Sequence, residues 1–292
     1  MKKKIILAVS LVLIAVMSLI GFAACNKAKF KIDKNISVVA REDGSGTKAS
    51  FMEFIGLKGK SDPSGVIVGS STAAVLVEVK NNPQALGYDS LGYVTDEVKI
   101  LKVDGVYPSA ENIANGTYKI ARPLSIVYKT ANIQSGAQQA YFEFLQSIEA
   151  QDIIKANDYV TDVNNAAAYA AKSGLSGEIK ISGSTSLEPL MKKLAAKFEQ
   201  MQSGVTVTVG GGGSGTGYKD AQGGVSDFGM ISERFNQTKA PDCVHSVVAL
   251  DGIAIIVNKA NTIDNITIEA LKNIYNAEEA ADTKIKTWAQ VK

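Results

Sequence analysis

The sequence contains one histidine, one tryptophan and two cysteines in 292 residues, and its charges almost cancel, with 31 Lys and Arg against 29 Asp and Glu. Each shortage closes off a kind of chemistry. A single histidine, His245, excludes a multi-histidine metal centre and leaves a Ser-His-Asp mechanism hanging on one residue; it reads as a structural residue in a strand. Three of the cations, Lys2, Lys3 and Lys4, lie at the extreme N-terminus, so the remaining chain has 28 cations against 29 anions. A body so near neutrality carries no basic stripe, which argues against a nucleic-acid partner and requires any anion site to be local. Nucleotide loops are also missing. Gly210 to Gly215 satisfies G-x-G-x-x-G, but Gly223-Gly224 ends the following helical stretch too early. After Gly217 comes Tyr218-Lys219-Asp220 rather than Lys-Ser/Thr. No cofactor and no metal is expected.

What is present begins with a leader. Three lysines precede a nearly unbroken apolar run from Ile5 to Ala24, the anatomy of an export signal over residues 1–24. The run ends in Phe22-Ala23-Ala24-Cys25, which resembles a bacterial lipobox with Phe22 in the usual leucine position and Cys25 as the lipidated residue. An uncleaved membrane anchor is the alternative for a run of this length; both readings place the body outside the cytoplasm. With Cys25 so assigned, Cys243 has no obvious partner and reads as a small buried apolar residue. Residues 25–35 are polar and aperiodic, as a tether would be.

From Ile36 onward, short apolar strands alternate with amphipathic helices, the pattern of an α/β protein. Its composition, 46% hydrophobic and 21% charged, and its length suit two modest domains. Strands are expected at Ile36–Ala40, Tyr118–Tyr128, Val205–Val209 and Val247–Asn258. Helices are expected at Thr47–Ile55, Thr72–Asn81, Ala137–Ala150, Leu187–Met201 and over Ile268, Leu271, Ile274 and Tyr275. Three strand-to-helix turns are built alike: Asp43-Gly44-Ser45-Gly46-Thr47, Gly183-Ser184-Thr185-Ser186 and Gly213-Ser214-Gly215-Thr216. Glycine admits a ligand close to the backbone, while hydroxyls and unpaired helix N-terminal amides donate hydrogen bonds. Taken singly, such turns are caps; together they suit a tetrahedral oxyanion.

These residues resemble the phosphate-binding proteins of ABC importers. The resemblance is carried by Ile181-Ser182-Gly183-Ser184-Thr185-Ser186-Leu187-Glu188-Pro189-Leu190, by Gly211 to Gly217 with Val225 to Ser232, by Leu250 to Asn258, and by Val39-Ala40-Arg41-Glu42-Asp43-Gly44-Ser45-Gly46-Thr47. It implies an α/β, two-lobed periplasmic-binding-protein-like fold of type II with hinge strands near Ala121–Leu124 and Ala249–Gly252. The order of the halves is reversed relative to the family, which implies a circular permutation with Ile36 near Lys292. The alternative is a truncated or fused product completed between two chains. Residues 36–121 with 251–292 would form the lobe carrying the arginine loop, and 122–250 the lobe carrying the other two loops.

The resemblance further implies inorganic phosphate as ligand, held by Thr185, Ser186, Ser214 and Asp227 from one lobe and by Arg41, Ser45, Gly46 and Thr47 from the other. Asp43 would steady the Arg41 guanidinium. Asp227 would accept the hydrogen of monohydrogen phosphate and so reject sulfate; without the family it reads as a cap or turn residue. The implied partners are an ABC permease and ATPase, with the membrane reached through the lipid anchor, and the protein is not expected to be an enzyme. A secreted phosphatase and a non-transport phosphate sensor are the competing readings.

Overall fold

A computed structural model describes residues 29–291 except positions 135, 162, 164, 279, 281 and 282. The leader, Cys25, the start of the tether and Lys292 lie outside the described residues. Among the described residues, no helix is long and apolar enough to cross a membrane.

Lobe one is built from β1 (Ser37–Arg41), α1 (Gly46–Phe54), β2 (Ile67–Gly69), α2 (Thr72–Asn81), β3 (Ala85–Ser90), β4 (Val98–Val103) and α3 (Ala110–Ala114). Lobe two follows with β5 (Ala121–Tyr128), α4 (Gly136–Leu145), α5 (Ile148–Lys155), β6 (Gly177–Gly183), α6 (Glu188–Met201), β7 (Val205–Gly210), α7 (Ser214–Gly223) and β8 (Phe228–Ile231). The chain then returns through β9 (Val244–Asn258) to finish lobe one with β10 (Asn265–Ile266) and α8 (Ile268–Tyr275). A single sheet runs through both lobes in the order β2-β1-β3-β9-β5-β8-β6-β7, with β4 on β9 and β10 on β4.

The 15 residues of β9 make this continuity possible. Its C-terminal half pairs antiparallel with β3 and β4, from Ile253 to Asn258. The stretch from Val244 to Gly252 pairs with β5, with a register shift between Leu124 and Ser125. The apolar cores divide accordingly. Phe144, Phe198, Phe228, Leu124 and Val248 belong to one cluster, and Phe51, Tyr88, Ile253, Tyr275 and Trp288 to another. Val160 adds a further link to Leu250 through an isolated antiparallel bridge.

The two ends of the described chain meet within lobe one. Asn35 bridges Thr287, the Ile36 amide donates to the Lys286 carbonyl at 2.8 Å, and the Ala289 amide donates to the Ile32 carbonyl at 2.7 Å. Trp288 is fully buried there, with its indole N–H on the Gln84 carbonyl at 3.2 Å and its ring edge-on to Phe30. One chain therefore contains both lobes and their hinge, and a second copy is not needed to complete the fold.

One expected helix divides in two. The segment expected as a single helix over Ala137–Ala150 breaks after Leu145, because the Ser147 hydroxyl accepts the Ala150 amide and starts α5 as its cap. Cys243 is buried and free, and His245 stacks on Phe235 with ring centroids 4.6 Å apart.

Candidate functional site

Four helices begin where the lobes meet. Ser45 caps α1 by accepting the Lys48 amide, and Ser71 caps α2 by accepting the Ala74 amide. The Ser184 hydroxyl accepts the Leu187 amide in the turn that opens α6, and Gly213, at a φ of 83°, precedes α7. The first amides of each helix have no intrahelical acceptor and carry the positive end of the helix dipole. Gly46 and Thr47 supply two such amides, and both residues are buried.

The side chains close this arrangement across the cleft. Thr47 Oγ1 lies 2.9 Å from Ser186 Oγ, and Thr72 Oγ1 lies 3.0 Å from Thr185 Oγ1 and 3.3 Å from Ser186 Oγ. Arg41 Nη2 donates to Thr185 Oγ1 at 3.1 Å, and Nη1 donates to Thr72 Oγ1 at 3.2 Å. The Gly215 amide donates to the Gly44 carbonyl at 3.0 Å. Gly46 has to be glycine here: a β-carbon on it would stand 2.3 Å from Ser214 Oγ and 2.9 Å from Ser232 Oγ. Thus Arg41, Ser45, Gly46 and Thr47 come together with Thr185, Ser186 and Ser214.

Two residues named from the sequence do not join them. Asp227 precedes β8, where its carboxylate accepts the Lys180 amide at 2.8 Å and the Gln138 side-chain amide at 3.2 Å. Because β8 runs parallel to β6, with Gly183 opposite Met230, the loops sit at the far ends of these strands. Asp227 is level with Lys180, roughly 10 Å of extended chain below Gly183. Asp43 points outward, fully exposed, and pairs with Lys48 at 2.7 Å. Glu42 replaces it as the brace of the guanidinium, taking Arg41 Nε at 3.0 Å and Nη2 at 2.8 Å in the two-pronged geometry that suits arginine.

Thr72 and Ser232 are additions to the set. Thr72 follows Gly69-Ser70-Ser71, a fourth Gly/Ser/Thr turn between a strand and a helix, and so was visible by the same reasoning as the other three. Ser232 follows β8; its amide donates to Ser214 Oγ at 3.0 Å and its own Oγ lies 3.3 Å from that oxygen. It closes the Val225–Ser232 stretch that carries part of the family resemblance, where the sequence reading gave it no role.

Next to Arg41 lies a buried group of ionisable side chains. Asp89, Asp251 and Arg122 are all essentially inaccessible. Burial pushes the Asp89 carboxyl well above the usual carboxylate range, partly opposed by the Ser90 amide and the Arg41 and Arg122 charges. Burial likewise raises Asp251 and is opposed chiefly by Arg122, which it pairs with at 3.2 Å. Beside the cluster, a cleft of about 760 Å3 runs along α1 between Asp43, Ser45 and Lys48 on one side and Glu233, Arg234 and Phe235 on the other.

The comparisons agree with this architecture. A family model described as a PBP superfamily domain matches residues 26–149 and 168–292. The phosphate-binding protein PstS 2 of Streptococcus agalactiae is 33% identical over 279 residues, covering 91% of this chain and 94% of that protein. Its Streptococcus pneumoniae counterpart is 30% identical over 283 residues, covering 93% and 94%. The phosphate-binding protein PstS of Bacillus subtilis, at 34% identity, aligns over only 131 residues, 44% of this chain and 41% of that protein. A crystal structure of a phosphate ABC transporter phosphate-binding protein from Streptococcus pneumoniae superposes with a TM-score of 0.69 at 31% identity, covering 88% of this chain and all of that one.

Two substitutions check the placement of the carboxylates. Asp227→Asn is expected to leave anion affinity within about twofold and to cost about 1–2 kcal/mol of stability through its weakened bond to the Lys180 amide, as read by urea unfolding alongside titration. A large affinity loss would return Asp227 to the site. For Asp89, the raised pKa means that the folded state keeps a proton that the unfolded state gives up. Its contribution is therefore fully favourable below the ordinary carboxylate pKa of 3.8 and is lost as pH rises toward the folded value. Asp89→Asn is expected to reduce the decline in unfolding free energy as pH rises above the ordinary carboxylate pKa of 3.8; an unchanged slope would contradict the buried neutral carboxyl. On its full-length relatives, the matched domain and the shared fold, the chain belongs to the PBP superfamily and, within it, to the family of the PstS phosphate-binding proteins.

Proposed function

We propose that this protein captures inorganic phosphate between its two lobes and delivers it to an ABC permease and its ATPase from the outer face of the cell membrane, where a lipid on Cys25 anchors it. The observation that carries this reading is the meeting of four helix N-termini, the Arg41 guanidinium and a set of hydroxyls at one buried point between the lobes. A tetrahedral oxyanion offers many acceptors, and this cluster can meet them with guanidinium, hydroxyl and helix-amide donors. Binding would exchange the hydroxyl–hydroxyl bonds among Thr47, Thr72, Thr185 and Ser186 for bonds to ligand oxygens, while Gly46 and Thr47 contribute amides. Arg41, pre-oriented by Glu42, adds fixed N–H donors without a rotamer search. With Asp227 outside the cluster, the hydroxyl oxygens and Glu42 are the acceptors at hand for a ligand hydrogen.

The lobes in this reading are residues 36–121 with 251–292, and residues 122–250, hinged where β5 and β9 pair. The reversed order of halves is a circular permutation. Support comes from the meeting of the chain ends at Asn35 and Thr287 and from the contrast between streptococcal relatives that align end to end and a Bacillus relative that aligns over about half. A permutation leaves every contact of the cluster in place because it relocates only an exposed connection.

Isothermal titration of the purified full chain in mild detergent tests the proposal. One-to-one phosphate binding, with sulfate binding at least about a hundredfold weaker, is the expected result, and Arg41→Gln is expected to weaken phosphate by about a hundredfold or more. Absence of phosphate binding to the folded wild type would refute it.

A further inference from the structure

The carbonyl of Ser232 is a junction of three parts of the molecule. Arg122 Nη1, on β5, donates to it at 2.9 Å, and Ser50 Oγ, on α1 of the opposite lobe, donates to it at 3.3 Å. Through its amide and hydroxyl the same residue holds Ser214, the first residue of α7. Arg122 itself is set at the crossover between the lobes. It lies directly opposite Asp251 in the β5–β9 register, and its Nη2 donates to Asp251 Oδ2 at 3.2 Å. Asp251 Oδ2 also accepts Ser90 Oγ at 2.8 Å, from the end of β3.

A buried ion pair seldom stabilises a fold more than apolar residues of the same shape would, so its presence at a hinge calls for another contribution. Here the guanidinium is divided between two tasks: one nitrogen is held by the hinge strand and the other holds a loop of the binding cluster. We infer that Arg122 is a positioning residue for phosphate capture: anchored by Asp251 at the crossover, it fixes the Ser232 carbonyl so that Ser214 and Ser50 find their places when the lobes shut. This rests on the phosphate reading above for its consequence, but the positioning itself can be read without any anion. When the lobes part, Ser50 leaves with α1, while Arg122 and Ser214 stay with Ser232. The loop is thereby kept in its binding conformation before the ligand arrives, which removes an ordering cost from the binding step.

Two variants separate this role from simple stabilisation. Arg122→Lys keeps a cation for Asp251 but replaces the two spaced nitrogens of the guanidinium with one, so the rigid fork that reaches the carboxylate and the carbonyl together is lost. Arg122→Met combined with Asp251→Asn removes both charges, so no uncompensated carboxylate is left buried, and the carboxamide oxygen at that position still accepts from Ser90. Hydrogen exchange of the purified full chain, measured without phosphate, is expected to show the Ser232 amide exchanging at least about tenfold faster in both variants, with the amides of α1 and α6 unchanged. Phosphate titration is expected to show at least about a tenfold loss of affinity in both. Wild-type exchange at Ser232 in a folded variant would overturn the positioning role, and so would faster exchange with unaltered affinity. Acceleration spread evenly over lobe two would also overturn it, by making Arg122 a general stabiliser. A wild-type protein that binds no phosphate would remove the functional reading and leave the exchange result to decide the positioning alone.

Discussion

The antiparallel pairing of β9 with β5 holds the molecule together, because these are the strands through which one lobe passes into the other. At 15 residues, β9 is long enough to serve β3 and β4 at one end and β5 at the other, so each lobe is completed by a strand it shares. The consequence is geometric. The strands that lead into α1, α2, α6 and α7 all end facing the same cleft, and the four helix starts meet there. A small rotation at the crossover, where Arg122 faces Asp251, would separate Thr47 from Ser186 and Gly44 from Gly215.

The charges of the molecule make sense in the same frame. With almost no net charge, the body cannot draw an anion by its overall field, and attraction must come from oriented dipoles and one arginine in a water-poor site. Arg41 is nearly inaccessible and braced by Glu42, so its positive charge is offset before any ligand arrives. What remains for an anion is mainly directional hydrogen bonding from hydroxyls and helix amides. Such a site discriminates by geometry and by the ligand's own hydrogens rather than by charge alone.

Much of this was legible in the sequence. Periodicity found most of the elements that frame the cleft, including Thr72–Asn81 as the structure has it, and the three Gly/Ser/Thr turns marked most of the residues that meet in it. The failures have physical causes. Asp227 and Asp43 were given roles in the site by the family resemblance, but strand length, strand direction and local ion pairing decide where a side chain lies. Glu42 outcompeted Asp43 for Arg41 because Lys48, early in α1, draws Asp43 to the surface. Ser232 lay within the Val225–Ser232 stretch of the resemblance but was given no role there, and the Asp89–Arg122–Asp251 group could not be seen at all, since its proximity comes from strand pairings between residues more than a hundred positions apart. The helix expected over Ala137–Ala150 failed locally, through a serine cap that periodicity does not weigh.

The most direct test of the account is a crystal structure grown with phosphate. It predicts one anion at the meeting point of the four helix starts, bonded to Arg41, to the amides of Gly46 and Thr47, and to hydroxyls among Thr72, Thr185, Ser186 and Ser214, with Asp227 still on the Lys180 amide. An anion bound instead in the outer cleft beside Lys48 and Arg234, with the hydroxyl cluster unchanged, would contradict it.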